Sequence, residues 1–212
     1  MAETVVYLLG AGNSGSTLLS MVLGAHSRML SIGEFSRFDQ YMALDCLCSC
    51  GLPMSQCELW GDLDNGLDDS WPYGVSPGLP FRSLRRAGAE ALVHDPNWAR
   101  TVARNLTLYR ALSEKAGVDV IVDASKDLSR FYYLYRSGRV RLVPIYLVRD
   151  GRAYMDSMKR RGMPSWRAFL RWTRLNEWVI RFIKSLNGGD RILTLSYESF
   201  VSDPEGTLKS VC

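Results

Sequence analysis

Thr4-Val5-Val6-Tyr7-Leu8-Leu9 runs directly into Gly10-Ala11-Gly12-Asn13-Ser14-Gly15-Ser16-Thr17, and Leu18, Leu19, Met21, Val22 and Leu23 follow in a helix-like pattern. The β-branched, apolar run predicts a buried strand, the glycines and hydroxyls a loop, and the pattern beyond them a helix. Strand, loop and helix in this order make a phosphate cradle. Glycines let successive N–H groups converge on an anion, and the helix N-terminus adds the positive end of its dipole. The stretch points to a nucleotide or another phosphorylated ligand.

Working outward, residues 29–35 form a short extended segment that turns at Gly33. A helix is predicted over 97–116, opened by Asp95-Pro96 and closed by Gly117. Residues 118–123 read as a buried strand and 128–137 as a helix ended by Gly138. Residues 141–148 form another strand, although Pro144 cannot donate to a ladder. A basic helix follows over 151–161. A long helix then runs from Pro164 to about residue 186, with Phe169, Trp172, Leu175, Trp178, Val179, Phe182 and Ile183 on one broad face. Trp166, Trp172, Trp178 and Phe182 read most simply as core packing of that helix. A last strand covers 191–197. Strands alternating with helices predict an α/β fold, a P-loop-like three-layer sandwich around a central, mainly parallel sheet. The 212 residues fit one domain. Residues 46–80, rich in Gly, Pro, Asp and Cys, interrupt it as an expected lid or substrate-facing insertion that includes Trp60 and Trp71.

Composition narrows the classes. With 47% hydrophobic and 23% charged residues the chain has the balance of a globular domain. Its 26 basic and 22 acidic residues give a net charge of +4, which suits an anionic ligand but is no nucleic-acid footprint. No apolar run approaches the ~18–20 residues that span a bilayer. The N-terminus lacks the positive region of a signal peptide, so no membrane contact and a cytoplasmic location are expected.

The loop departs from that of nucleoside triphosphatases, which place a lysine after the last glycine to reach the terminal phosphates. Ser16 stands there instead. A hydroxyl-rich loop without lysine suits a monoester phosphate held by backbone amides and serine or threonine oxygens. A small-molecule kinase using Asp123 as a magnesium carboxylate remains an alternative, as does a non-catalytic nucleotide-binding module.

Four separated motifs together resemble the sulfotransferases that use 3′-phosphoadenosine-5′-phosphosulfate (PAPS), in their bacterial and Golgi-type branch. They are Ser14-Gly15-Ser16-Thr17-Leu18-Leu19, Asp123-Ala124-Ser125-Lys126-Asp127, Val148-Arg149-Asp150-Gly151-Arg152 with Ser157 beyond, and Leu195-Ser196-Tyr197-Glu198 before Asp203-Pro204. The resemblance implies that PAPS is the co-substrate, with no metal required. It also implies sulfuryl transfer to a hydroxyl, or an amine, of a small-molecule acceptor. Gly12, Asn13, Ser14, Gly15, Ser16, Thr17 and Leu18 would then hold the 5′-phosphosulfate, Arg149 and Ser157 the 3′-phosphate, and Tyr197 the adenine edge. Arg149 also suits a phosphate on its own chemistry, because its guanidinium is a rigid fork of donors.

Glu34, after Gly33, is the expected base, with His26 and His94 as weaker rivals. Lys126 would stabilise the charge that grows on the leaving oxygen. Many family members carry a cation where this chain has Asn13, which places more of that burden on Lys126. Related sulfotransferases also continue beyond the last residues seen here, so a fragment or a shortened member is expected. The oligomeric state is left open.

Four of the five cysteines, Cys46, Cys48, Cys50 and Cys57, cluster before Trp60. Such clustering suggests metal binding or reduced thiols, or else a disulfide, although the paired Cys-x-x-Cys spacing of structural zinc sites is absent.

Overall fold

Along β1 (Thr4–Gly10), Val5, Tyr7 and Leu9 enter one apolar core while Val6 and Leu8 enter another. Side chains alternate across a strand, so this is the signature of a sheet covered on both faces. The computed structural model describes residues 3–63, 96–186 and 192–211. Within them β1 joins β2 (Met29–Ser31), β3 (Val120–Asp123), β4 (Arg141–Val148) and β5 (Leu193–Ser196) in the order β2-β3-β1-β4-β5, and every pairing is parallel.

The helices are α1 (Ser16–Gly24), α2 (Phe38–Ala43), α3 (Pro96–Ala116), α4 (Leu128–Ser137), α5 (Gly151–Lys159), α6 (Ser165–Ser185), α7 (Tyr197–Ser202) and α8 (Pro204–Val211). Val6 and Leu8 meet Leu19 and Leu23 of α1 and Phe200 of α7. Val5, Tyr7 and Leu9 share the opposite core with Tyr109 and Leu112 of α3, Phe131 of α4, and Val179 and Phe182 of α6. Helices, sheet and helices therefore form the three layers of a P-loop-like fold.

Pro144 is tolerated because the described ladder to β5 starts only at Ile145, so β1 alone flanks β4 at that residue. Gly138 ends α4 with φ +61, in the left-handed conformation that stops a helix. The face of α6 differs from expectation. Ala168, Asn176, Val179 and Phe182 are buried, whereas Phe169 is half exposed and Trp166 is largely exposed. Phe169 sits about 100° around the helix from Ala168, outside the buried stripe. The expected last strand is shorter, since Tyr197 already begins α7.

The expected insertion begins as ordered turns. Leu47 and Pro53 form an antiparallel bridge, and Met54–Gln56 make one turn of 3-10 helix. Its continuation from residue 64, including Trp71, lies outside the described residues, as do His94, Asp95 and Cys212. No helix among the described residues is long and apolar enough to cross a membrane.

Candidate functional site

The loop after β1 lies at the carboxyl end of the central strand, where open α/β sheets place their ligands. Asn13 (φ +65) and Gly15 (φ +91) adopt left-handed backbone there. Gly15 is the N-cap of α1, and no side chain caps the helix. The amides of the first turn, which have no helical acceptor, are therefore left for an anion. A Cβ built on Gly12 would meet nothing within 4 Å, whereas one on Gly15 would strike the Tyr197 ring at 2.2 Å. Ser14 Oγ is buried and has no hydrogen-bond partner among the described residues. An unpaired buried hydroxyl is costly, and a phosphate oxygen would satisfy it. Ser16 is buried while Thr17 is exposed and Leu18 is 44% exposed, so Leu18 adds its place in the helix's first turn rather than a packed side chain.

Arg149 follows β4 and folds against this loop. Its Nη1 donates to the Asn13 carbonyl at 3.0 Å, and its guanidinium lies 4.7 Å from the Tyr197 ring centroid. Its Nε is buried without a partner among the described residues. The Trp172 indole donates to the Arg149 carbonyl at 3.0 Å and fixes the backbone there. Tyr197 thus sits between Gly15 and Arg149 and joins two of the expected anion contacts. Ser157 is half-buried on α5 and has no hydrogen bond to Arg149. The same helix touches the loop through Met158, whose sulfur lies 3.3 Å from Asn13 Nδ2.

Glu34 and Lys126 meet directly. Ile32 N–H donates to the Val122 carbonyl and Ala124 N–H to the Gly33 carbonyl, at 3.0 and 2.8 Å. These bonds extend the β2–β3 pairing past the strand ends, and Gly33 (φ +63) then turns the chain. Lys126 Nζ donates to Glu34 Oε1 at 2.7 Å, to Ser16 Oγ at 3.1 Å and to the Ala124 carbonyl at 2.8 Å. The ammonium spans the phosphate loop and the carboxylate. Lys126 holds a left-handed φ of +60, unusual for a side-chain-bearing residue and common at functional sites.

Beneath Lys126 lies a network that the sequence reading missed. Arg130 Nη1 donates to Asp123 Oδ2 at 2.6 Å, and both side chains are fully buried. Tyr109 donates to the same carboxylate at 2.6 Å, Arg130 Nε to Asn105 Oδ1 at 2.8 Å, and Arg130 Nη1 to Ser125 Oγ at 3.0 Å. Burial works against the guanidinium charge, but Asp123 holds Arg130 protonated well above its ordinary range, while burial pushes the Tyr109 hydroxyl up. The network grips Asp123-Ala124-Ser125 from below, and Asp127 caps α4 through the amides of Ser129 and Arg130. The one available signal was an arginine set in the otherwise aromatic run Phe131-Tyr132-Tyr133. Asp123 is thereby committed to a buried ion pair and is unsuited to hold magnesium, which removes the carboxylate that a kinase reading required.

Glu34 lines a cavity of about 580 Å³ walled by Met21, Phe35, Phe38, Tyr41, Leu59 and Trp60, with Thr17 and Ser20 of α1 on its loop side. Cys48 and Ser49 belong to the same wall. Burial pushes the Cys48 thiol up, but the Cys50 amide and the neighbouring thiols outweigh this and bring it down to about 7. A second recess of about 310 Å³, on α6 between Trp166, Leu170 and Trp178, includes neither a loop residue nor Lys126. Trp166 and Trp178 line that recess rather than the core. His26 lies past α1, accepting from the Arg28 amide at 3.1 Å in an exposed turn, and plays no part in the site.

No protein-family model matches the chain, and no curated protein does. Among solved structures, the chain is similar over its full length to the sulfotransferase domain from the Synechococcus PCC 7002 olefin synthase, with 22% identity, a TM-score of 0.59 and 72% of that chain covered. It is similarly close to the sulfotransferase domain from the curacin biosynthetic pathway, with 19% identity, a TM-score of 0.55, and coverage of all of this chain and 73% of that one. The chain has the fold of these domains.

Proposed function

We propose that this chain, built on the fold of sulfotransferase domains, transfers a sulfuryl group from PAPS to a hydroxyl of a small, largely apolar acceptor. The observation that carries the reading is the Lys126 ammonium, held between Ser16 of the phosphate loop and Glu34 at the edge of the cavity. In-line displacement needs a charge stabiliser at the leaving oxygen and a base at the attacking one. A cation in contact with both the loop and a carboxylate meets that demand.

In this reading the amides of residues 12–18 and the hydroxyls of Ser14, Ser16 and Thr17 hold the 5′-phosphosulfate, and Arg149, with Ser157 on the neighbouring helix, takes the 3′-phosphate. Tyr197 packs under Arg149 beside the adenine. The acceptor occupies the Glu34 cavity among Phe35, Phe38 and Trp60. Glu34 takes the hydroxyl proton as the acceptor oxygen bonds to sulfur. The bond from sulfur to the bridging phosphate oxygen breaks, its electron pair stays on that oxygen, and Lys126 meets the charge. Adenosine-3′,5′-bisphosphate leaves. No step requires a metal, and the protein acts without a nucleic-acid or membrane partner.

Calorimetry with adenosine-3′,5′-bisphosphate and with ATP tests the donor assignment. The bisphosphate is expected to bind more tightly. Arg149→Ala should weaken it by about 1.5–3 kcal/mol, roughly tenfold to a hundredfold, the worth of a hydrogen bond to a charged group. Equal affinity for the two nucleotides, or an unchanged bisphosphate affinity in the variant, contradicts the assignment. Binding without sulfate transfer across a panel of phenols and alcohols would favour a binding module.

A further inference from the structure

The turns after α2 bring three cysteines together at the edge of a core, where Cys57 is buried, Cys48 packs against it and Cys50 is exposed. Cys48 N–H donates to the Leu52 carbonyl at 2.8 Å and Gly51 N–H to the Cys48 carbonyl at 2.9 Å, which closes a tight reversal. The 3-10 turn Met54–Gln56 then carries Cys57 back toward it. The sulfurs of Cys48 and Cys57 lie 3.5 Å apart and those of Cys50 and Cys57 3.6 Å, with all three within 4.8 Å of one another. Cys46 stands outside this group.

These separations match thiolates around one ion. Tetrahedral zinc with bonds of about 2.3 Å sets its sulfurs about 3.8 Å apart. A disulfide would draw two sulfurs to about 2.0 Å and leave the third unused. A free cysteine normally packs as a small buried hydrophobe. Cys50 is exposed and yet faces Cys57.

We propose that Cys48, Cys50 and Cys57 bind one zinc ion, or another soft divalent metal, as three thiolates, with a non-protein fourth ligand such as water. All three sulfurs bind as thiolates, and whatever protons they carry go to solvent on binding. The ion ties the reversal at 48–52 to the turn before Trp60, whose ring packs against Phe35 and Phe38 at 6.3 and 5.8 Å. Because Cys48 and Ser49 also wall the Glu34 cavity, the site is a structural clamp on that wall. It stands whether or not the cavity receives a sulfuryl acceptor.

The test titrates the reduced, metal-free chain with zinc against a chromophoric chelator, and with cobalt while following the thiolate-to-cobalt charge-transfer band. Stoichiometric zinc and a cobalt band of three-thiolate intensity are expected. Cys50→Ser should lose stoichiometric zinc and Cys46→Ser should keep it. Substoichiometric metal in the unaltered chain, loss in Cys46→Ser, retention in Cys50→Ser, or a disulfide among the three in protein prepared without reductant would each overturn the proposal. Should Cys50→Ser fail to fold, the cobalt spectrum of the unaltered chain decides it.

Discussion

Glu34 and Lys126 lie 92 residues apart in sequence and 2.7 Å apart in space. If they serve as base and charge stabiliser, Glu34→Gln should lower kcat by roughly 10²–10⁴ with little change in bisphosphate affinity. Lys126→Ala should lower kcat and also weaken the bisphosphate, because Nζ reaches the phosphate loop through Ser16. Steady-state rates paired with calorimetry check both, and a Glu34→Gln variant of unchanged kcat would remove the carboxylate from the proposed chemistry. Each residue was readable alone from its local motif. Their contact was not, since it depends on how far β2 and β3 pair beyond their ends and on the turn at Gly33. Tyr197 shows the same limit: its tyrosine-glutamate motif was visible, but its packing between Gly15 and Arg149 is a tertiary fact.

Elements, rather than single side chains, hold the loops of the candidate site in place. The Arg130–Asp123 pair fastens α4 to the end of β3, and removing one partner leaves a buried, uncompensated charge. Arg130→Met should cost about 3–5 kcal/mol in urea unfolding, and Tyr109→Phe about 1 kcal/mol. Losses well below these would show that the network is not the anchor described here. At the other loop, Gly15→Ala combines a left-handed φ with a clash against Tyr197 and should destabilise the chain by about 1–3 kcal/mol. Part of that loss should be recovered in a Tyr197→Ala background, which thermal melts of the double-mutant cycle would reveal. Strands and helices were legible because β1 alternates between two cores and Gly138 and Gly117 punctuate helix ends. Arg130 was hidden because a single sequence does not say which helical charge is taken inside. The stripe of α6 was misjudged by one position at Phe169, since Ala168 offers a weaker hydrophobic signal than its neighbour.

For the molecule as a whole, the proposed nucleotide grips the ends of β1, β3 and β4 together, so its binding should stabilise the entire fold. At a hundredfold excess over Kd, adenosine-3′,5′-bisphosphate should add about 2.7 kcal/mol, a rise in Tm of about 5–10 °C for a chain of this size. Scanning calorimetry with and without ligand reads this, and an unmoved Tm at saturation would count against the site. The parallel three-layer architecture was the most legible level, because alternating strand and helix patterns leave few topologies. The Glu34 cavity was the least legible, being assembled from α1, the Gly33 turn and the cysteine-bearing turns after α2. That division of labour makes the protein modular. On the proposed reading the nucleotide grip belongs to the sheet's centre, while the opposing wall stands on the β2 side, where Phe35, Phe38 and Trp60 root it in the core. Refitting Met21 and Ser49, exposed residues of that wall, would re-tailor which guest is admitted without disturbing the core beneath.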